Sequence, residues 1–159
     1  MAFENPVHEA TFQRLRELLR ELFDDPFHEE ENDHFYVRYG STVLEISVEP
    51  YGAEETMVTI MAYCVQGVEV EEQLLLGLLE LNHSLVCGSF SLVGTDIFCS
   101  HSLFGRSLDP RDLLRAITAV ATVTDDYDDR IVAKYGGQTA LERIQDTGGR
   151  RRRQGVGED

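Results

Sequence analysis

Residues 70–85 read VEEQLLLGLLELNHSL, and this stretch decides how the rest of the chain must be arranged. The pattern predicts a helix in which seven leucines cover nearly the whole circumference. A helix that is apolar all round cannot keep one face in water, so it must be covered on two sides. In a chain of 159 residues, one cover is the protein's own sheet, and we expect the other to be a second subunit. The predicted dimer interface consists of Leu74, Gly77, Leu78, Leu81 and Leu85.

Two strands and a long helix are predicted downstream of this stretch. Residues 89–93 and 97–103 have strand patterns, and the intervening Gly94-Thr95 suits a two-residue hairpin with glycine first. The long helix begins at Asp109-Pro110, because aspartate can cap a helix and proline is tolerated at its first position. It ends at Gly136-Gly137, since glycine favours the conformation that closes a helix.

One helix and three strands are predicted upstream. An amphipathic helix begins at Asn5-Pro6 and ends near Asp24, and the acidic connection over 24–33 is interpreted as a solvated loop. Residues 35–39, 42–49 and 56–65 are predicted strands joined by short turns, which makes the sheet antiparallel. The predicted fold class is therefore α+β, a five-stranded antiparallel sheet flanked by helices in the order α-β-β-β-α-β-β-α.

The third of these strands is apolar on both faces. Such a strand is either central and covered twice, or it forms part of a binding surface. Methionine and tyrosine side chains suit the second alternative, because they adapt to varied partners. The predicted partner-binding residues are Met57, Met61, Tyr63 and Val65.

The formal net charge of −15 bears on the class of partner. A polyanion is repelled by nucleic-acid backbones and anionic membrane surfaces, so basic or apolar partners are favoured. The alternative is that acidity only keeps the protein in solution. The three cysteines form no CxxC pair and are expected to be buried free thiols in a reducing cytoplasm. The sequence has neither a signal-peptide pattern nor an apolar run long enough to span a membrane.

Few residues suggest chemistry. Asp125 and Asp129 share a helix face and are spaced so that a cation could bridge them, but a solvated patch or a contact with a basic partner is favoured. The five histidines show no metal-ligand spacing, and phosphate-binding or nucleophile motifs are absent from the sequence. We therefore predict no metal, no cofactor and no catalytic residues. The predicted acidic patch is Asp125, Asp126, Asp128 and Asp129.

Three segments carry a resemblance to a known family. They are LLELNHSLVCGSFSLVGTDIFCSHSL at 78–103, LDPRDLLRAI at 108–117 and DDYDDRIVAKYG at 125–136. Their order resembles the YbjN family, whose fold is that of type III secretion chaperones, and the match covers most of residues 6–136. The resemblance implies a dimerising, peptide-binding or chaperone-like module, or a regulator, without catalytic residues. The motifs that carry it are Leu81-Asn82, Gly88-Ser89-Phe90, Asp109-Pro110 and Asp126-Tyr127-Asp128.

These observations lead to one hypothesis and one rival. The hypothesis is a homodimeric, non-enzymatic, YbjN-like protein- or peptide-binding module over residues 1–137, with a chaperone-like or regulatory role. The extension over 138–159 is predicted to be largely disordered and to end in an arginine-rich tail, Arg150–Arg153. The rival is a sensory or regulatory domain that binds a small molecule between sheet and helices, in a pocket containing Tyr39, Tyr63 or His101.

Overall fold

The computed structural model describes residues 3–40, 42–140 and 142. Within these residues the chain forms three helices and seven strands. The helices are α1 (Pro6–Leu22), α2 (Glu72–Ser84) and α3 (Pro110–Tyr135), and the strands are β1 (Phe27–Glu29), β2 (His34–Tyr39), β3 (Thr42–Tyr51), β4 (Glu55–Gln66), β5 (Ser89–Val93), β6 (Asp96–Phe104) and β7 (Gln138–Thr139).

All strands belong to one antiparallel sheet in the spatial order β1-β2-β3-β4-β6-β5, with β7 paired to the end of β4. The predicted α+β class and its five strands are confirmed. The two short strands were not predicted: β1 lies in the acidic connection interpreted as a loop, and β7 lies just past residue 137, so the sheet crosses the predicted domain boundary. The Arg150–Arg153 tail lies outside the described residues.

Side-chain caps begin the two longest helices where the sequence predicts them. The Asn5 side chain accepts a hydrogen bond from the backbone N–H of His8 at 2.9 Å. Asp109 Oδ1 accepts from the backbone N–H groups of Arg111 and Asp112 at 2.8 and 3.3 Å. Such bonds satisfy N–H groups that have no partner within the helix.

Helices α1 and α3 cover one face of the sheet and bury the core against it. Burial alternates strictly along β3 and along most of β4, so every second side chain of these strands points into that core. This is the period-two pattern of an antiparallel sheet with one covered face. The most deeply buried large side chains include Leu15, Leu18, Leu19, Leu44, Ile46, Ile60, Ile97, Leu113 and Ile117.

Helix α2 lies at the other end of the sheet, beside β5. Leu74 and Leu78 are buried in the core of their own chain. Leu75, Leu76 and Leu79 are 39%, 52% and 66% exposed, and we call these three side chains the leucine ridge. The chain therefore covers one side of α2 and leaves the other side in solvent.

Candidate functional site

The central strand β4 presents every second side chain to the sheet face opposite α1 and α3, and we call this face the open face. Met57, Met61 and Tyr63 alternate with the buried residues of β4 and are each half-buried on this side. The structure therefore brings together three of the four predicted partner-binding residues. They lie along one strand in the middle of the sheet.

Strand β6 adds aromatic side chains to the same face. Met57 pairs with Phe104 and Tyr63 pairs with Phe98, whose ring centroid lies 4.7 Å from that of Tyr63. Phe104 is 57% exposed. Neither phenylalanine is among the predicted partner-binding residues, although alternation along 97–103 places Phe98 on the side away from the core. We call Met57, Met61, Tyr63, Phe98 and Phe104 the apolar strip.

Val65 does not belong to the apolar strip, and its predicted position is corrected by the structure. Strict alternation placed it on the same face as Tyr63. The pairing of β4 with β6 shifts register between Tyr63 and Val65, so Val65 and Cys64 are both buried. An irregularity of this kind re-aims the side chains beyond it.

Carboxylates border the apolar strip on the β2–β3 side. Glu45 pairs with Met61 across the sheet, and its carboxylate lies 2.9 Å from His34 Nδ1 and 3.1 Å from the Tyr36 hydroxyl. Burial is the main cause that raises the pKa of Tyr36 to about 12; the hydrogen bond with Asn32 opposes this rise, and the charge of Glu45 and the hydrogen bonds to Glu45 and Glu29 add to it. Tyr36 therefore stays a neutral phenol at physiological pH.

An acidic cleft of about 280 Å³ lies near the end of β4. Asp125, Asp128 and Asp129 line it together with Tyr63, whereas Asp126 is exposed outside it. Burial raises the pKa of Asp128 to about 6, with contributions from the charges of its acidic neighbours. The cleft thus joins three of the four predicted acidic-patch residues to one end of the apolar strip.

The cleft and the cysteines offer little to metal or covalent chemistry. No group of three potential metal-ligating side chains is found among the described residues. Burial raises the pKa of Cys64 and, to about 11, that of Cys99, so both thiols remain protonated. Since the thiolate is the nucleophile, these cysteines are inert packing residues.

Four of the five predicted interface residues line one groove rather than an outer surface. Gly77 and Leu81 face a cleft of about 440 Å³ between α2 and the end of α3, where Ile131 and Tyr135 form the opposite wall. A Cβ at Gly77 would meet no atom within 4 Å, so the monomer does not require glycine there. Leu74 and Leu78 line the floor and are already buried, and Leu85 ends the helix as its C-cap.

The rival hypothesis of a small-molecule sensor gains little from this geometry. Tyr63 lies in the acidic cleft, while His101 accepts a hydrogen bond from the Gly88 N–H at 3.3 Å. Tyr39 is 37% exposed at the end of β2. The structure does not gather the three residues into one described pocket. Within the described residues, no helix is long and apolar enough to cross a bilayer.

Comparisons with known proteins complete these observations. A family profile described as "T3SS (YopN, CesT) and YbjN peptide-binding chaperone 1", TY-Chap1, matches residues 9–143. A chain in the solved structure of the HopA1–SchA chaperone–effector complex superposes with a TM-score of 0.58 at 14% identity, covering 78% of this chain and 99% of that one. At this identity the likeness shows the fold alone. No curated protein sequence matches the chain.

Proposed function

Because this chain belongs to the TY-Chap1 family of peptide-binding chaperones, we propose that it holds extended segments of client proteins on the open face of its sheet. The family is one of chaperones, which confirms the prediction that the chain is not an enzyme. The observation that carries the proposal is the apolar strip, which runs along β4 and β6 on the face that α1 and α3 leave uncovered.

The composition of the apolar strip suits a partner without a fixed sequence. Met57 and Met61 are unbranched and polarisable, so they repack against side chains of different shape. Tyr63 and Phe98 form an aromatic pair that offers area at low cost in conformational entropy. Adaptable surfaces of this kind are typical of proteins that bind several partners.

Charge favours basic clients. The acidic cleft and Glu45 border the strip at the end of β4 and on its β3 side, and the whole chain carries a formal charge of −15. Such a field speeds the encounter with positively charged segments and disfavours nucleic acids and anionic membranes. The free thiols of Cys64 and Cys99 suit a reducing compartment such as the cytoplasm.

The test measures binding of a basic unfolded chain to Met61→Asp. The probe is reduced, carbamidomethylated lysozyme followed by fluorescence anisotropy at two salt concentrations. We expect at least about a tenfold rise in Kd, about 1.4 kcal/mol, because the substitution places a charge within the apolar strip. The matched control is Leu114→Asp on α3, which is 37% exposed on the helical side of the molecule. Equal Kd values for wild type, Met61→Asp and Leu114→Asp would refute the open face as the binding surface.

We also propose that α2 pairs two copies of the chain into a homodimer. The leucine ridge supports this, because three neighbouring exposed leucines on one helix form an apolar patch of the kind that marks interaction sites. The predicted interface therefore shifts around the helix. Leu74 and Leu78 anchor α2 to its own chain, Gly77 and Leu81 line the cleft towards α3, and the leucine ridge on the other side of the helix faces the partner copy.

Solution mass tests the dimer. Leu79→Glu is expected to convert a dimer into a folded monomer, because it places a charge in the centre of the leucine ridge. Leu78→Glu is the wrong probe, since that side chain is 6% exposed and the substitution would disturb the core. The measurement is light scattering with circular dichroism, and Leu114→Glu on α3 is the control at an exposed leucine of another helix. A monomeric wild type would overturn the dimer without touching the client-binding proposal.

A further inference from the structure

Strand β5 ends the sheet, and within the described part of the chain no strand pairs with the main-chain groups along its outer edge. An edge of this kind is a template on which another chain can add a strand. Asn82 of α2 lies beside it. The Asn82 Oδ1 accepts a hydrogen bond from the Phe90 N–H at 2.7 Å, and its Nδ2 donates to the Phe90 carbonyl oxygen at 3.0 Å.

The register of the β5–β6 hairpin shows why Phe90 is the residue engaged. Val93 and Asp96 close the two-residue turn as a hydrogen-bonded pair, and such pairs alternate with non-hydrogen-bonded pairs along an antiparallel ladder. Phe90 pairs with Cys99 at a non-hydrogen-bonded position, so its N–H and carbonyl point away from β6. The main-chain N–H and carbonyl of Leu92, which pairs with Ile97, point away from β6 in the same way. The Asn82 carboxamide thus takes both groups that an added strand would use at Phe90.

We propose that Asn82 closes the β5 edge against strand addition, and that without it the β5 strand of a second copy adds there. One carboxamide supplies a donor and an acceptor in the spacing of a peptide group, so it replaces one residue of a neighbouring strand. Phe90 is the second of the five residues of β5, and it and Leu92 are the residues whose main-chain groups point outward, so engaging Phe90 interrupts the ladder that an added strand would form. Helix α2, which carries the leucine ridge, therefore also blocks strand addition at the β5 edge through Asn82.

The second copy is the occupant because the β5 sequence suits self-pairing. SFSLV alternates small polar and large apolar side chains and carries no charge or proline, the two devices that commonly protect an edge strand. Two β5 strands placed antiparallel would join two sheets into one. The protein thus relies on a side chain of α2 where other sheets rely on the edge strand itself.

Asn82→Leu tests the proposal, because it keeps a side chain of similar volume and removes both hydrogen bonds. We expect amide exchange at Phe90 to accelerate at least tenfold at low protein concentration, and the light-scattering mass to rise with concentration above that of the wild type. Ser84→Ala is the matched control, since Ser84 is exposed on the same helix and its hydroxyl donates to the carbonyl of Glu80 within that helix. It should change neither quantity.

A double variant distinguishes strand addition at β5 from non-specific hydrophobic association. Leu92→Pro removes an outward N–H that β6 does not use, and proline is tolerated on edge strands. We expect Asn82→Leu/Leu92→Pro to return to the wild-type mass. Association that persists in the double variant, or an Asn82→Leu protein that is folded and keeps both the wild-type mass and the wild-type exchange at Phe90, overturns the proposal. If Asn82→Leu does not fold, Asn82→Asp decides, because it keeps the acceptor for the Phe90 N–H and loses the donor to the Phe90 carbonyl. A mass that rises with concentration above that of the wild type supports the proposal, and the wild-type mass at every concentration overturns it.

Discussion

Helices α2 and α3 both have an apolar sequence pattern, but the rest of the chain covers them to different extents. Both are rich in aliphatic residues, and α2 has the higher density of leucine. Yet α3 buries Leu113, Ile117 and Val120 among seven residues, whereas α2 buries only Leu74 and Leu78. The helix with the stronger apolar pattern is thus the less covered one.

The ends of α3 are also better capped than the start of α2. Asp109 caps α3 through two hydrogen bonds, and Gly136 at φ 71° closes it with a backbone bond to Val132. Glu71 at the start of α2 makes no side-chain cap bond. The difference teaches that caps and burial within one chain are enough to define α3. Helix α2, in contrast, starts without a side-chain cap and has an exposed apolar side. That combination is expected of a helix whose second cover is another molecule.

Truncation of one side chain in each helix should give the largest contrast. Ile117→Ala is expected to lower the free energy of unfolding by about 2–5 kcal/mol, because it leaves a cavity where the side chain is 0% exposed. Leu79→Ala should stay within about 0.5 kcal/mol in the monomer. Urea denaturation at a protein concentration at which light scattering gives the monomer mass measures both. A loss above 2 kcal/mol for Leu79→Ala would mean that α2 is covered within one chain.

Removal of the caps should give an intermediate effect. Asp109→Ala is expected to cost about 1 kcal/mol, because the N–H groups of Arg111 and Asp112 lose their acceptor. Glu71→Ala is the control at the matching position of α2 and should cost clearly less. Thermal unfolding followed by circular dichroism compares the two. Equal losses would show that the two helix starts are equally specified and would weaken the contrast.

A titration in the second half of α3 should give the smallest effect. The pKa of Asp128 is raised from 3.8 to about 6, so this carboxylate binds a proton more tightly in the folded state than in the unfolded state. Its contribution to stability is therefore present below about pH 3.8 and lost as the pH rises through about 6. Relative to the wild type, Asp128→Asn should be more stable at pH 7 than at pH 4 by roughly a few tenths of a kcal/mol in the free energy of unfolding. The difference is small because the half-exposed carboxylate is screened by solvent. Asp126→Asn, outside the cleft, is the matched control.

The sequence was sufficient for the elements whose signals are local. The cap at Asp109, the turn at Gly94-Thr95 and the alternation in β3 each depend on neighbouring residues, and each is present in the structure. Val65 was misplaced because a register shift depends on the pairing of β4 with β6, which no local pattern reveals. The strand β1 was missed because three residues in an acidic connection carry almost no periodicity.

The candidate site was predictable only in part for the same reason. Met57, Met61 and Tyr63 follow from alternation along one strand, whereas Phe98 and Phe104 join them through pairing with a strand some 40 residues away in sequence. Asn82 was recognised as part of the Leu81-Asn82 motif, but without a physical role. Its contact with Phe90 requires the α2–β5 geometry that only the folded chain provides.

The Tyr63–Phe98 pair also gives the open face an optical property. The chain contains six tyrosines and no tryptophan, so its own ultraviolet emission comes from tyrosine. A client that carries a single tryptophan would be the sole indole in the mixture, and Tyr63 would lie next to it on the apolar strip. Energy transfer from Tyr63 to that indole would then report occupancy of the face without any label attached to the protein.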